Sequence, residues 1–220
     1  MSRVPESSWH KQMTSALITE LPANVLQSWL DAGHTLTTDL RGPKVLAMDD
    51  GSYVKIFHTR RHPLIARLFP AARRFHANAC KLSALGIPVP EILNLYWIDR
   101  TAGLSACRYR PLSGETLENL LASDPAGLRQ QLPAVAAFMR RLHKAGIYFR
   151  SLHLGNVVAT PTGDYGLIDF LDMKIFSRPL NAWQVRRNFK HLDRYLKRRG
   201  LGNFPLDELK MQYFHPTSHG

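Results

Sequence analysis

Between Phe149 and Asp172 the sequence reads FRSLHLGNVVATPTGDYGLIDFLD, and this stretch restricts the fold more than any other. Two short apolar runs, residues 156–159 and 165–168, flank a turn carrying Pro161 and Gly163, which predicts a small β-hairpin. Polar side chains collect at its ends. Ser151, His153 and Asn156 precede the first strand, and Asp169 and Asp172 follow the second. A hairpin brings its ends together, so Asn156 and Asp169 should converge. An amide oxygen and a carboxylate form a hard oxygen-donor pair suited to Mg²⁺.

The segments before this hairpin alternate in character. Residues 23–30 have apolar side chains at helical spacing after Pro22, with Gly33 as the stop. Residues 36–57 read as antiparallel sheet, in which Asp49-Asp50-Gly51 turns one strand into Tyr53-Val54-Lys55-Ile56-Phe57. Lys55 thus sits amid β-branched and aromatic residues. Such a lysine either serves a buried anion site or lies on the solvent side of an edge strand. Residues 62–85 carry a helical period that Pro70 breaks or kinks, with Gly86, Pro88 and Pro90 ending it. Two more strands, residues 93–98 and 104–109, flank a turn at 99–103, and a short helix is expected at 115–121. The strongest helical pattern spans 128–146, and leads directly into the hairpin stretch. His143, near its end, is expected to bond backbone beside the loop. Leu192, Leu196 and Leu201 point to a final helix in the basic tail.

A chain of 220 residues, 45% of them hydrophobic, can bury a substantial core and is not disordered. Lys and Arg number 29 against 17 Asp and Glu, a net charge of +12. A surplus of that size concerns partners: nucleic acid, an anionic membrane face, or a phosphorylated glycolipid. The nucleic-acid reading rests on charge alone, since no recognition motif accompanies it. Cys80 and Cys107 do not form a disulfide framework, and two free thiols in a reducing compartment are expected. No apolar run approaches the ~18 residues of a membrane span, and the N-terminal residues have no secretory pattern.

Arg150-x-Leu152-x-x-x-Asn156 followed by Ile168-Asp169-Phe170 resembles the catalytic and metal-binding loops of protein-kinase-like enzymes, H-R-D-L-x-x-x-N and D-F-G. Ser151 stands where that pattern has its catalytic aspartate, Phe149 where it has histidine, and Leu171 where it has glycine. Lys55 resembles the lysine of the third kinase strand. Together with the junction Leu85-Gly86-Ile87-Pro88-Val89-Pro90, the order of elements is most similar to the lipopolysaccharide core sugar kinases and the related toluene-tolerance proteins.

The resemblance implies an α+β, two-lobed fold. A sheet-rich lobe would span 1–110, and a helical lobe with both loops would span 111–220. It implies ATP and Mg²⁺. Lys55 would hold the α- and β-phosphates, with Arg41 and Lys44 of the preceding hairpin near phosphate. The connector from Arg108 to Gly114, including Tyr109, would meet adenine. Asp169 and Asn156 would hold metal. Arg150 would contact substrate or the transferring phosphate, Ser151 would orient the acceptor hydroxyl, and His153 would be the base. From His58 to Val89 there is no Asp or Glu to pair with Lys55, which leaves Glu91 as a substitute. The implied acceptor is an anionic glycolipid, the lipopolysaccharide core, met by a cytoplasmic protein peripheral to the inner membrane. The alternative is a pseudokinase that binds nucleotide or a partner without catalysis.

Overall fold

A computed structural model describes residues 17–39, 42–58 and 62–215. Arg41 lies outside the described residues. The chain is mixed α+β and divides into two compact units. One runs to Ala84 and resumes over Val89–Pro111, and the other takes Leu85–Pro88 and the chain from Leu112.

The first unit is built on a six-stranded sheet. Its strands are β1 (Ile18–Glu20), β2 (His34–Asp39), β3 (Gly42–Ala47), β4 (Tyr53–Phe57), β5 (Glu91–Asp99) and β6 (Leu104–Arg110), in the order β1-β5-β6-β4-β3-β2. All neighbours are antiparallel except β1, which adds three residues parallel to β5. The sequence gives no sign of so short a strand. Gly51, at φ 76°, makes the β3–β4 turn, and the Asp50 carboxylate accepts from the Ser52 backbone at 3.0 Å. The Asp99 carboxylate serves the β5–β6 turn in the same way, accepting from Thr101 N–H at 2.8 Å.

Strand alternation then divides β4 between two faces. Val54 and Ile56, with Leu46 and Ala106, form a buried cluster that Leu26, Trp29 and Leu30 cover. Those three belong to helix α1 (Ala23–Ala32), whose end at Gly33 agrees with expectation. Lys55 and Phe57 take the other face. There Phe57 meets Phe75 at 5.5 Å between ring centroids. Phe75 belongs to α3 (Ala71–Ala84), whose Ala72, Phe75, Ala79 and Leu82 are buried. The helical period after His62 is split, as Pro70 foretold, into α2 (Pro63–Leu68) and α3.

In the second unit, β7 (Glu115–Thr116) precedes α4 (Leu117–Ser123), so the helix expected at 115 starts two residues later. Thr116 Oγ1 caps it, accepting from Asn119 N–H. The long helix expected over 128–146 is in fact two, α5 (Pro125–Gln130) and α6 (Leu132–Lys144). Pro133 in the first turn of α6 clashes with continuation from residue 129 and forces the break. Strands β9 (Val157–Ala159) and β10 (Tyr165–Leu167) form the expected hairpin in register Val157↔Leu167, with β7 on the outer side of β9. β8 (Ile147–Tyr148) pairs with β11 (Lys174–Ile175). Helix α7 (Ala182–Arg199) opens on an Asn181–Gln184 capping box and closes on Gly200 at φ 69°. Helix α8 (Leu206–Phe214) follows and packs on α6.

Candidate active site: a carboxylate beside Ser151

The loop from Phe149 to Asn156 is held mainly by its own backbone. Leu152 N–H donates to Phe149 O at 3.1 Å, His153 N–H to Ser151 O at 2.9 Å, and Asn156 N–H to His153 O at 2.9 Å. Phe149, Leu152 and Leu154 are buried and pin it to the core. Ile168 N–H donates to Asn156 O at 3.0 Å, which ties the entry of Asp169 to the end of the loop. The charge of Asp169 also reaches His153, and His153 contacts Asn156. Asn156 and Asp169 therefore lie together, as the hairpin required.

Asn156 is 8% exposed. Its Nδ2 donates to Ser151 O at 2.9 Å and to His153 Nε2 at 3.3 Å, which fixes the amide so that Oδ1 is on the opposite side. Asp169 has φ 53° and ψ 40°, the only non-glycine residue with positive φ among those described. Aspartate is one of the few side chains that tolerate this region, at a cost on the order of 1 kcal/mol. Among the described residues no three His, Cys, Asp or Glu side chains gather as a metal cage. An amide and a carboxylate suit Mg²⁺ that takes its remaining ligands from nucleotide phosphates and water.

Ser151 is not alone in the aspartate's position. Its Oγ donates to Asp172 Oδ2 at 2.9 Å, and Arg150 Nε lies 3.7 Å from the same oxygen. The other carboxylate oxygen, Oδ1, is buried with no partner. Asp172 arrives through the short 3₁₀ turn Phe170–Asp172, anchored by the fully buried Phe170.

His153 is placed differently from a free base. Its ring stacks on Tyr195 with centroids 3.7 Å apart and planes 5° from parallel. Its Nε2 lone pair accepts from Asn156, and burial pulls its pKa down to about 4 despite the nearby charges of Glu118 and Asp169. It supports the metal-ligand candidate rather than offering a lone pair to a substrate. Tyr195 donates in turn to Glu118. Arg199 Nη2 also reaches that carboxylate, at 2.7 Å. Burial opposes charge on Glu118, yet the bonds from Tyr195 and Arg199 hold its pKa below the usual value. Gly155 makes this clamp possible, because a Cβ there would meet Glu118 Oε2 at 2.7 Å and Tyr195 Oη at 2.8 Å. Neither Glu118 nor Tyr195 carries a sequence signal for this role; they lie 77 residues apart.

His143 was expected to bond backbone. Instead its Nδ1 meets Tyr213 Oη at 2.8 Å and its Nε2 meets Asn188 Oδ1 at 3.1 Å. Asn188 Nδ2 supplies the backbone bond, donating to Phe149 O at 3.0 Å.

In the first unit, β4 lies between β3 and β6, so Lys55 is not on an edge strand. The residue is 5% exposed, and its Nζ lies 5.2 Å from the Phe75 ring centroid. Burial pushes the neighbouring Cys107 thiol up to about 12, partly offset by the Lys55 charge. Both cysteines are free. Glu91 is not a partner for Lys55. It opens β5 at the surface, 63% exposed, and pairs with Arg110 Nη1 at 3.0 Å. Lys44 lies on β3. Tyr109 lies on β6, its ring 5.8 Å from Tyr53 and 6.4 Å from Phe75.

No helix among the described residues is long and apolar enough to cross a membrane. No curated protein matches the chain. Residues 44–148 match the phosphotransferase enzyme family, APH. That stretch runs from β3 to β8 and ends just before the Ser151 loop. With the α+β architecture, the match supports a kinase-like phosphotransferase of the protein-kinase-like superfamily.

Proposed function

We propose that the protein transfers the γ-phosphoryl group of ATP to a hydroxyl of an anionic sugar acceptor, in the manner of the lipopolysaccharide core kinases it resembles, at the cytoplasmic face of a membrane. The observation that carries an active enzyme is the 2.9 Å bond from Ser151 Oγ to Asp172 Oδ2. The loop has lost its own carboxylate, and one from the metal-binding turn stands beside the serine that replaced it.

Lys55 binds the nucleotide α- and β-phosphates as a buried point charge. Asn156 and Asp169 would hold Mg²⁺, whose charge would offset that developing on the phosphate oxygens. Ser151 Oγ takes the acceptor hydroxyl's proton as its own proton passes to Asp172 Oδ2. The acceptor oxygen forms its bond to the γ-phosphorus while the bond to the β-phosphate oxygen breaks, so ADP and the phosphorylated acceptor leave. Arg150 is positioned to balance the carboxylate and to meet the acceptor.

A second reading, nucleotide binding without transfer, draws support from the loop itself, which carries Ser151 where the kinase pattern has its aspartate.

Asp172→Asn decides between them. Loss of a positioned base costs about 10²- to 10⁴-fold. We expect that loss in transfer of radiolabelled phosphoryl to lipopolysaccharide core, with the Mg²⁺–ATP thermal shift retained. Adding Ser151→Asp to that variant should restore transfer, since it moves the carboxylate back to the loop. Ser151→Asp alone should not help, because it sets two carboxylates against each other. Full activity in Asp172→Asn would refute the role, and a wild-type protein that binds Mg²⁺–ATP but transfers nothing would establish the second reading.

A further inference from the structure

One face of α7 carries a feature the transfer chemistry does not use. Trp183, Arg186, Arg187, Lys190, His191 and Arg194 line a hollow of about 290 Å³. Their spacing puts them on one side of the helix, while Val185, Phe189, Leu192 and Leu196 bury the other. A basic face on an amphipathic helix is ordinarily just solvated, but three observations go further. The hollow has four cations and no carboxylate in its lining, and Asp193 on the same helix is engaged by Lys197 at 2.9 Å. Trp183 is 62% exposed, with the Arg187 guanidinium 4.9 Å from its ring centroid, so a flat apolar plate lies beside a donor fork. His191 Nε2 is buried there without a partner.

The hollow also adjoins the catalytic loop. The charges of Arg150 and Asp172 both reach His191. A ligand held along α7 therefore lies within electrostatic reach of Arg150 and Asp172.

We propose that this hollow binds a phosphate group on the phosphoryl acceptor, with the guanidinium groups of Arg187 and Arg194 and the Lys190 ammonium taking the anion and Trp183 covering the attached ring. The inference rests on the phosphotransferase reading above and adds the acceptor's recognition element. Guanidinium forks match phosphate oxygens in pairs. The volume lies at the lower end of the range for small-molecule sites, which suits one charged sugar unit rather than a whole oligosaccharide. The same phosphate could be offered by a soluble saccharide or by a lipid headgroup, and the experiment separates the two.

The test compares the full chain with Arg187→Gln/Lys190→Gln/Arg194→Gln and, separately, Trp183→Ala, by calorimetry. The probes are lipopolysaccharide core oligosaccharide, the same oligosaccharide after phosphatase treatment, and phosphatidylglycerol vesicles. We expect the triple variant to bind the phosphorylated oligosaccharide about 30-fold more weakly, roughly threefold for each exposed cation–anion contact removed. Trp183→Ala should weaken the same complex with charge intact. Phosphatase treatment should weaken wild-type binding and abolish the difference between wild type and triple variant. The Mg²⁺–ATP thermal shift should be the same in all variants, because none of these residues holds nucleotide. Equal affinity of wild type and triple variant for the phosphorylated oligosaccharide overturns the proposal. So does a loss confined to vesicles, which would make the face a membrane contact. Absence of the thermal shift in wild type instead counts against the nucleotide reading, and leaves the oligosaccharide comparison to be read by itself.

Discussion

Lowering the pH should loosen the Phe149–Asn156 loop through one buried histidine, and the size of the effect follows from its bonds. His143 is 3% exposed. Asn188 must donate its Nδ2 to the Phe149 carbonyl, so its Oδ1 faces His143 and has to accept. That assigns the ring proton to Nε2 and leaves Nδ1 to accept from Tyr213. The neutral ring satisfies every partner, whereas a second proton would set N–H against the Tyr213 hydroxyl inside the core. Burial lowers the pKa from 6.5 to about 4, opposed only by the Asn188 bond. Below pH 6.5 the unfolded chain takes up a proton that the folded chain refuses until about 4. Stability is therefore full above the unfolded value and falls as pH drops through that window. The pKa difference corresponds to ~3 kcal/mol. The assay is urea unfolding at steps from pH 7 to pH 4 for wild type and His143→Gln, whose amide can still donate to Asn188 and accept from Tyr213 but does not titrate. His153 is present in both and cancels. Wild type should lose ~3 kcal/mol more than the variant. Parallel pH profiles, or a His143 ring-proton resonance titrating near 6.5, would show the reasoning to be wrong.

Gly155→Ala should drive the Glu118–Tyr195 clamp off the loop; we expect ~1 to 3 kcal/mol of destabilisation by urea melts and a larger fall in turnover than in nucleotide affinity, and a neutral substitution would mean that the clamp does not position the loop. Lys55→Met fills the same space over Phe75 without the charge, so the fold should persist by circular dichroism while the Mg²⁺–ATP thermal shift disappears; a preserved shift would remove Lys55 from the nucleotide site. Asn181→Ala removes the side-chain half of the α7 capping box, the bond accepted from Gln184 N–H, and should cost ~1 kcal/mol in a melt, with no effect on the Mg²⁺–ATP shift.

What could be read from the residues was local. The hairpin was legible because its turn chemistry and both apolar runs lie within about a dozen residues, and Lys55 because an unbroken apolar strand surrounds it. The failures are contacts that join distant segments. Ser151 and Asp172 are 21 residues apart and Asn188 is 39 from Phe149, and no spacing rule connects such positions. Two misreadings had signals available. Pro133 inside the 128–146 pattern was a reason to break the helix, and Asn188, between Val185 and Leu192 on the apolar side of α7, was a polar group in need of a buried partner. Glu91 was chosen only because the helix before it has no acid. Its neighbour across the β5–β6 ladder, Arg110, was the better guess from pairing alone.

Two of the departures from the kinase pattern, Ser151 and Leu171, are better understood as one on the proposed reading. Asp169 opens a 3₁₀ turn in the left-handed region and Asp172 closes it. On that reading, one short turn carries the metal ligand at its entry and the proton acceptor at its exit. A glycine at the third position of the turn would weaken it by about 0.5 to 1 kcal/mol relative to a residue with a side chain; Leu171 keeps it rigid enough to aim Asp172. Once Asp172 is held there, an aspartate at 151 would be a second negative charge at hydrogen-bond distance from the first, and a hydroxyl is the side chain that fits. On the proposed reading, Ser151 in place of aspartate and Leu171 in place of glycine both follow from moving the carboxylate to position 172.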